Sequence, residues 1–255
     1  MLLRRKFVIK SAIVRNVLAE FYATAVLRFI GTGVMAQYVL SRGTFNSPIQ
    51  VQIGWGFAIL FGVYAGWSGH VNPAVTAVFW LLNKISLLQS VLYVIAQILE
   101  AINDFDGGSR KLVGVNGTGI IFASFPAPYL SNVGGDFIFK MAGTGILGLF
   151  VAYYGDSRNQ VPLYLLPPLF FALCVAIGVS YGMNAGSAIN PASDFGARLF
   201  AFFAGYGTEI FTHNNFYFLV PLIAPIFGAL IAAESYNIFI GRHMPGNCGE
   251  PVSCS

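Results

Sequence analysis

Long apolar runs separated by short polar breaks constrain this chain more than any other feature. Crossing a bilayer core requires about 20 apolar residues per helix. Runs of that kind extend from about Val14 to Leu40, Ile49 to Ala65, Ile85 to Asn103, Phe137 to Tyr154, Pro162 to Tyr181 and Phe216 to Ile240. Two further apolar stretches, Pro73 to Leu82 and Pro191 to Phe203, are too short to cross. Only 9% of the 255 residues are charged, against roughly 25% in soluble domains, which excludes an ordinary globular enzyme. The expected fold is an all-α membrane protein of six transmembrane helices plus two re-entrant half-helices.

The formal charge of +4 does not form a nucleic-acid-binding face, because the basic residues cluster at the ends and in short loops. Arg4, Arg5, Lys6, Lys10, Arg15, Lys84, Arg158 and Arg242 fall on the side of the termini, and Arg42, Arg110 and Lys111 fall opposite. The positive-inside rule therefore makes the termini cytoplasmic. The apolar stretch after the basic end is too long for a cleaved signal peptide. Asn116-Gly117-Thr118, in the loop this topology puts outside, is an N-glycosylation acceptor pattern. Cys174, Cys248 and Cys254 have neither zinc-site spacing nor disulfide density, and Cys174 reads as apolar filler.

The organisation expected is one membrane domain. A cytoplasmic N-terminus (1–13) precedes a first repeat (14–103), an extracellular loop (104–136), a second repeat (137–240) and a cytoplasmic tail (241–255). The halves repeat: Asn72-Pro73-Ala74 follows the second span and Asn190-Pro191-Ala192 the fifth, while Gly31-Thr32-Gly33 and Gly143-Thr144-Gly145 mark the first and fourth. Three spans per half force the copies into opposite orientations, a transport architecture with its site at the midplane.

Irregular backbone at membrane depth persists only when buried in protein or lining a wet cavity, so each Asn-Pro-Ala segment should enter from one face and turn back. Proline has no N–H to lose in the first helical turn, and the preceding Asn caps the helix. Two such half-helices meet with their N-termini facing, each carrying roughly half a positive charge. Asn72 and Asn190 then offer amide donors to passing water or hydroxyl oxygens, while charge is opposed.

On these motifs, with Ala19-Glu20-Phe21, Ser68-Gly69-His70-Val71 and Asn190 through Arg198, the chain resembles the major intrinsic protein (aquaporin) family along nearly its whole length. Asp194 and the long external loop containing Phe125-Pro126-Ala127-Pro128 are similar to its aquaglyceroporin branch. The resemblance implies a passive channel for water, glycerol and other small neutral solutes, with urea and ammonia as further candidates. It also implies a homotetramer, in the plasma membrane on the usual reading, whose other partner is membrane lipid. By matching motifs, the second narrow point falls on Trp55, Gly178, Ser187 and Ser193.

Relatives carry arginine where this chain has Ser193, so a wider filter with weaker cation exclusion is expected. Trp55 has an alternative reading as an interfacial belt residue. Glu20 matches a carboxylate that supports the re-entrant loop, and Lys140 stands at the equivalent place in the second half. Asp194 and Arg198 are expected to anchor the second short helix. His70 reads as bonding a backbone group rather than a metal. Arg28 is expected to snorkel to an interface, the alternative being an internal pair, and Lys140 is expected to snorkel. Tyr64 and Trp67 read as packing.

No metal, cofactor, nucleophile–base pair or nucleotide site is expected. The third span, with Glu100 and Asn103-Asp104 at its end, barely reaches across a core of about 30 Å at about 1.5 Å per residue. The rival reading is therefore a non-conducting or trafficking-impaired subunit with a shortened third span.

Overall fold

The computed structural model describes residues 8–66, 69–98, 110–114, 116–127, 129–130, 134–186 and 188–245. Arg4, Arg5, Lys6, Trp67, Ser68, Glu100, Asn103, Asp104, Pro128, Ser187, Cys248 and Cys254 lie outside these residues. Nine α-helices follow in order among the described residues: α1 (Ala12–Leu40), α2 (Pro48–Ala65), α3 (Pro73–Leu81), α4 (Leu87–Ile98), α5 (Gly134–Gly155), α6 (Leu166–Ala185), α7 (Pro191–Ala201), α8 (Glu209–Phe216) and α9 (Leu219–Phe239).

The chain is all-α. Five of its described helical segments, built on α1, α2, α5, α6 and α9, are long and apolar enough to cross a bilayer, and α4 is a shorter apolar helix. At about 1.5 Å per residue, α3 and α7 reach roughly half of a core about 30 Å thick.

Cap chemistry sets most helix starts. Ser47 and Gln50 form a capping box before Pro48 at the head of α2. Ser86 and Gln89 exchange side-chain and backbone bonds of 3.0 and 3.2 Å, so the third span begins at Leu87 rather than Ile85. Pro167 and Pro168 occupy the first turn of α6, so the α-helix starts at Leu166 within an apolar span of Leu163–Asn184, one residue from the expected start at Pro162. The sixth span begins at Leu219 rather than Phe216, because His213, Asn214 and Asn215 leave helical geometry just before it. The second short helix ends at Ala201, and Phe202–Tyr206 continues as a π turn.

The core is apolar with polar and charged side chains buried inside it, and the outer surface is apolar too, as a lipid solvent allows. On α1 the buried stripe is Glu20, Ala23, Thr24, Leu27, Arg28 and Gly31, spaced three and four apart. Phe29, Ile138, Ile231 and Phe239 face outward and are exposed. The most extensive helix–helix contact is that of α5 with α9. A Cβ at Gly228 would stand 2.2 Å from the Met141 carbonyl oxygen, so glycine is required for that approach.

Two expectations are corrected here. Arg28 is 7% exposed, with its guanidinium 5.8 Å from the centre of the Trp55 ring, so it stays inside the protein rather than snorkelling. Lys140 is 3% exposed, 3.9 Å from Asp136 and 6.0 Å from the Tyr217 ring. A carboxylate one turn earlier on the same helix face gives it an internal counter-charge, which a snorkelling lysine would not need.

Candidate functional site

Both half-helices start with the same chemistry. Asn72 has extended backbone, and its side-chain oxygen accepts from the Ala74 N–H at 2.8 Å, with Pro73 in the first turn. Asn190 caps α7 by accepting from the Ser193 N–H at 3.2 Å, with Pro191 following. Each oxygen is thereby fixed on its own helix, which directs each amide nitrogen away from it.

The nitrogens cross over. Asn72 Nδ2 donates to the Ile189 carbonyl at 3.0 Å, and Asn190 Nδ2 donates to the Val71 carbonyl at 2.6 Å. Each loop's last carbonyl before its Asn is therefore bound by the other loop's Asn. An amide nitrogen has two N–H groups. One per side chain is engaged in this crossing, and both side chains line one cavity of about 180 Å³. Two helix N-termini converge on the same space, so the local backbone field is positive.

Beneath the first loop stands Glu20. Its Oε2 accepts from His70 N at 2.8 Å, and its Oε1 accepts from Val71 N and, at 2.5 Å, from Gln97 Nε2. Val71 is fully buried at φ 47°, a conformation costly for a β-branched residue. Its N–H and carbonyl are both engaged, by Glu20 and by Asn190. The His70 ring stacks on Phe79 at 4.5 Å, with Nδ1 3.1 Å from Thr76 Oγ1. Among the described residues no cluster of His, Cys, Asp or Glu could hold a metal.

The second half repeats the backbone and changes the charge. Thr24 Oγ1 donates to the Glu20 carbonyl at 2.8 Å, and Thr144 Oγ1 donates to the Lys140 carbonyl at 2.7 Å, so the two ionisable residues occupy equivalent helical turns. Lys140 carries the opposite sign and pairs with Asp136, which also accepts from the Tyr217 hydroxyl. At the start of α7, Asp194 Oδ1 accepts from Arg198 Nε at 2.5 Å, and Oδ2 accepts from Ser124 N and Oγ at 2.8 and 2.7 Å. Arg198 also donates to the Ile210 carbonyl at 2.7 Å and to the Ser124 carbonyl. This pair ties α7 to the segment that holds Ser124 and to α8.

Of the four residues matched to the second narrow point, Trp55 and Ser193 line the cavity with Asn72 and Asn190. The Trp55 ring lies against Gly31, where a Cβ would stand 2.3 Å from it. The first glycine of Gly31-Thr32-Gly33 thus makes room for the indole. Gly178 is buried but does not line the cavity, because Gln52 fills the space above it. A Cβ at Gly178 would stand 2.1 Å from Gln52 Oε1. Sequence reasoning does not single out Gln52, nor the lining contributed by Ile120 through Ser124. Cys174, read as filler, also borders the cavity. Tyr64 is exposed and donates to the Tyr164 carbonyl at 3.2 Å.

Exposed Asn116 accepts from Arg42 at 3.2 Å. Thr118 of the same tripeptide is buried, its hydroxyl 2.5 Å from the Tyr206 hydroxyl.

Comparison with known proteins agrees with this architecture. The family model described as "Major intrinsic protein" matches residues 8–236. The chain is 37% identical to "Aquaglyceroporin-2" of Rhizophagus irregularis over 86% of this chain and 75% of that one. It is 35% identical to "Aquaporin-9" of Homo sapiens over 95% of this chain and 88% of that one. The X-ray structure of the aquaglyceroporin from Plasmodium falciparum superposes with a TM-score of 0.78 at 29% identity, covering 90% of this chain and 97% of that one. With the match extending from the first span to the last, this multi-pass membrane chain belongs to the major intrinsic protein family.

Proposed function

We propose that the chain is a passive pore for water and small uncharged solutes, glycerol foremost, and not an enzyme. One observation carries the reading: Asn72 and Asn190, each capping a half-helix, line one cavity where the two N-termini converge. Neutral hydroxyls can accept from the amides. Cations meet two positive helix ends and must shed hydration to pass them. The aquaglyceroporin relatives at over 30% identity support the same solute class. Nothing favours a non-conducting subunit.

Trp55, Ser193 and Ser187 serve as the selecting residues, with Gln52 acting in the space at Gly178. Repeats 14–103 and 137–240 form one channel domain, and four copies assemble with one pore each in the plasma membrane. The Arg158 guanidinium donates to the Met244 carbonyl at 3.4 Å, which supports a common side for the 156–159 turn and the tail. That side is cytoplasmic, and exposed Asn116 on the other side accepts a glycan.

Swelling of proteoliposomes containing the purified protein tests the function. Rapid swelling in a glycerol gradient with none in an impermeant disaccharide is expected. Glycerol and water permeabilities equal to those of empty vesicles would remove the reading.

A further inference from the structure

The two halves hold their loops by different chemistry. His70 and Val71, which precede Asn72, donate their N–H groups directly to Glu20. Ala188 and Ile189 precede Asn190 in the same way, and Lys140 stands where Glu20 does. An ammonium carries donors and no acceptor, so Lys140 cannot receive these N–H groups. Among the described residues neither N–H bonds to a backbone carbonyl.

An acceptor stands one turn earlier on α5. Asp136 is fully buried; its Oδ2 accepts from the Tyr217 hydroxyl and lies 3.9 Å from Lys140. Its Oδ1 is buried as well and has no hydrogen-bond partner among the described residues. Leaving a carboxylate oxygen in that condition is costly. Asp136 borders a small cavity, lined also by Gly143, Ile177, Gly186, Ala188 and Ile189, with a volume of about 10 Å³. That is about the room one water molecule needs. Gly186, Ala188 and Ile189 border the main cavity too, so this stretch of loop partitions the two spaces.

We infer that one water molecule is bound in the small cavity, accepting from the loop backbone at Ala188–Ile189 and donating to Asp136 Oδ1, which makes Asp136 a positioning residue for the second loop. Water fits because it both accepts and donates, whereas the N–H groups only donate and the carboxylate only accepts. A metal cation there would face N–H groups and the Lys140 ammonium, and a solute larger than water exceeds the volume. The site has a consequence for the pore. The Ile189 carbonyl accepts the Asn72 amide at 3.0 Å, so the support that settles Ile189 also settles where the remaining Asn72 N–H points. Binding of the water is independent of what the pore conducts, and only its effect on flux rests on the channel reading.

A structure of the full chain in lipid nanodiscs, at a resolution that shows ordered waters, tests the site directly. One density peak is expected within hydrogen-bond distance of Asp136 Oδ1 and of the loop N–H groups. No peak, or a peak coordinated as a cation, would overturn the inference.

Gly143→Ala gives a second measurement, because its methyl would stand 3.3 Å from Ile177 and 3.6 Å from Ile189, in the same space. Alanine is what the first half carries at the matching position, Ala23. The substitution is compared in wild type and in an Asp136→Leu/Lys140→Met background, where an apolar pair of similar volume leaves no acceptor to hydrate. Displacing water from Asp136 should lower the melting temperature by roughly 2–10 °C in the wild-type background. In the apolar background the same methyl should leave it unchanged or raise it, as filling a dry cavity does. Vesicle swelling should slow in the wild-type background alone.

A rise in the wild-type background, or an equal fall in both, which crowding alone would give, would overturn the inference. A lower melting temperature with unaltered swelling would overturn the positioning role. If the apolar background does not fold, the density decides. A wild type that shows the peak but conducts neither water nor glycerol would overturn the channel reading and leave the bound water standing.

Discussion

The Val71 carbonyl, on a residue held at φ 47°, accepts the side-chain amide of Asn190 at 2.6 Å, so a strained turn in one half of the chain is secured by a capping residue in the other. Asn190→Ala removes that donor and leaves a buried carbonyl unsatisfied. A loss of about 1–3 kcal/mol is expected. Water permeability should fall with it, because the loop carrying Asn72 loses its tie. Thermal unfolding in detergent and vesicle swelling measure the two effects, and an unchanged melting temperature would contradict the structural role.

Glu20 presents acceptors only, to three donors from His70, Val71 and Gln97. Glu20→Gln keeps the shape but turns one acceptor into an NH2 group facing an N–H. Hydrogen bonds to charged groups contribute roughly 1.5–3 kcal/mol each, so this change should be more damaging than an ordinary amide substitution. Glu20→Gln should express poorly and conduct little, whereas Glu20→Asp should be intermediate. The yield of monodisperse protein and its swelling rate distinguish these outcomes.

Lys140 and Asp136 form a buried pair whose partners cannot be altered singly at low cost. Lys140→Met should destabilise by about 3–5 kcal/mol by leaving Asp136 uncompensated. Changing Asp136→Asn together with Lys140→Met should recover most of that loss. A double-mutant cycle on detergent-solubilised protein gives the coupling, and additive single effects would argue against it.

Outside the membrane, the Arg158 hydrogen bond lowers the Asp156 carboxyl from its ordinary 3.8 to about 2, aided by the Arg158 backbone N–H and by Tyr236. A depressed carboxylate stabilises the fold above its unfolded value. That contribution is complete above about 4 and is lost as the pH falls through about 2. Asp156→Asn should therefore melt below wild type at neutral pH, and the difference should close at the acid end. A gap independent of pH would refute the assignment.

Much of the fold is legible in the sequence because lipid permits few alternatives: an apolar run of sufficient length must be a helix, and a half-length run opened by Asn-Pro must be capped inside protein. Boundaries differ by a few residues where local chemistry intervenes, as with Pro167 and Pro168 at α6 or Asn214 and Asn215 before α9. Within the site, Arg28 departs from expectation although the sequence carries the signal. Glu20, Thr24 and Arg28 are four apart, which aligns all three on one helix face, and a buried glutamate on that face directs the arginine inward as well. Asp136, Lys140 and Thr144 repeat the pattern. Gln52 over Gly178 cannot be read this way, since it depends on how α2 and α6 approach each other.

Arg198 joins α7 to Ser124 and to Ile210 through hydrogen bonds, and its ion pair with Asp194 fixes it between them. Ser124 and Asp194 border the cavity, so this clasp pins one of its walls to α8. Solute flux through the proposed pore should then follow the solute's own dehydration enthalpy on warming.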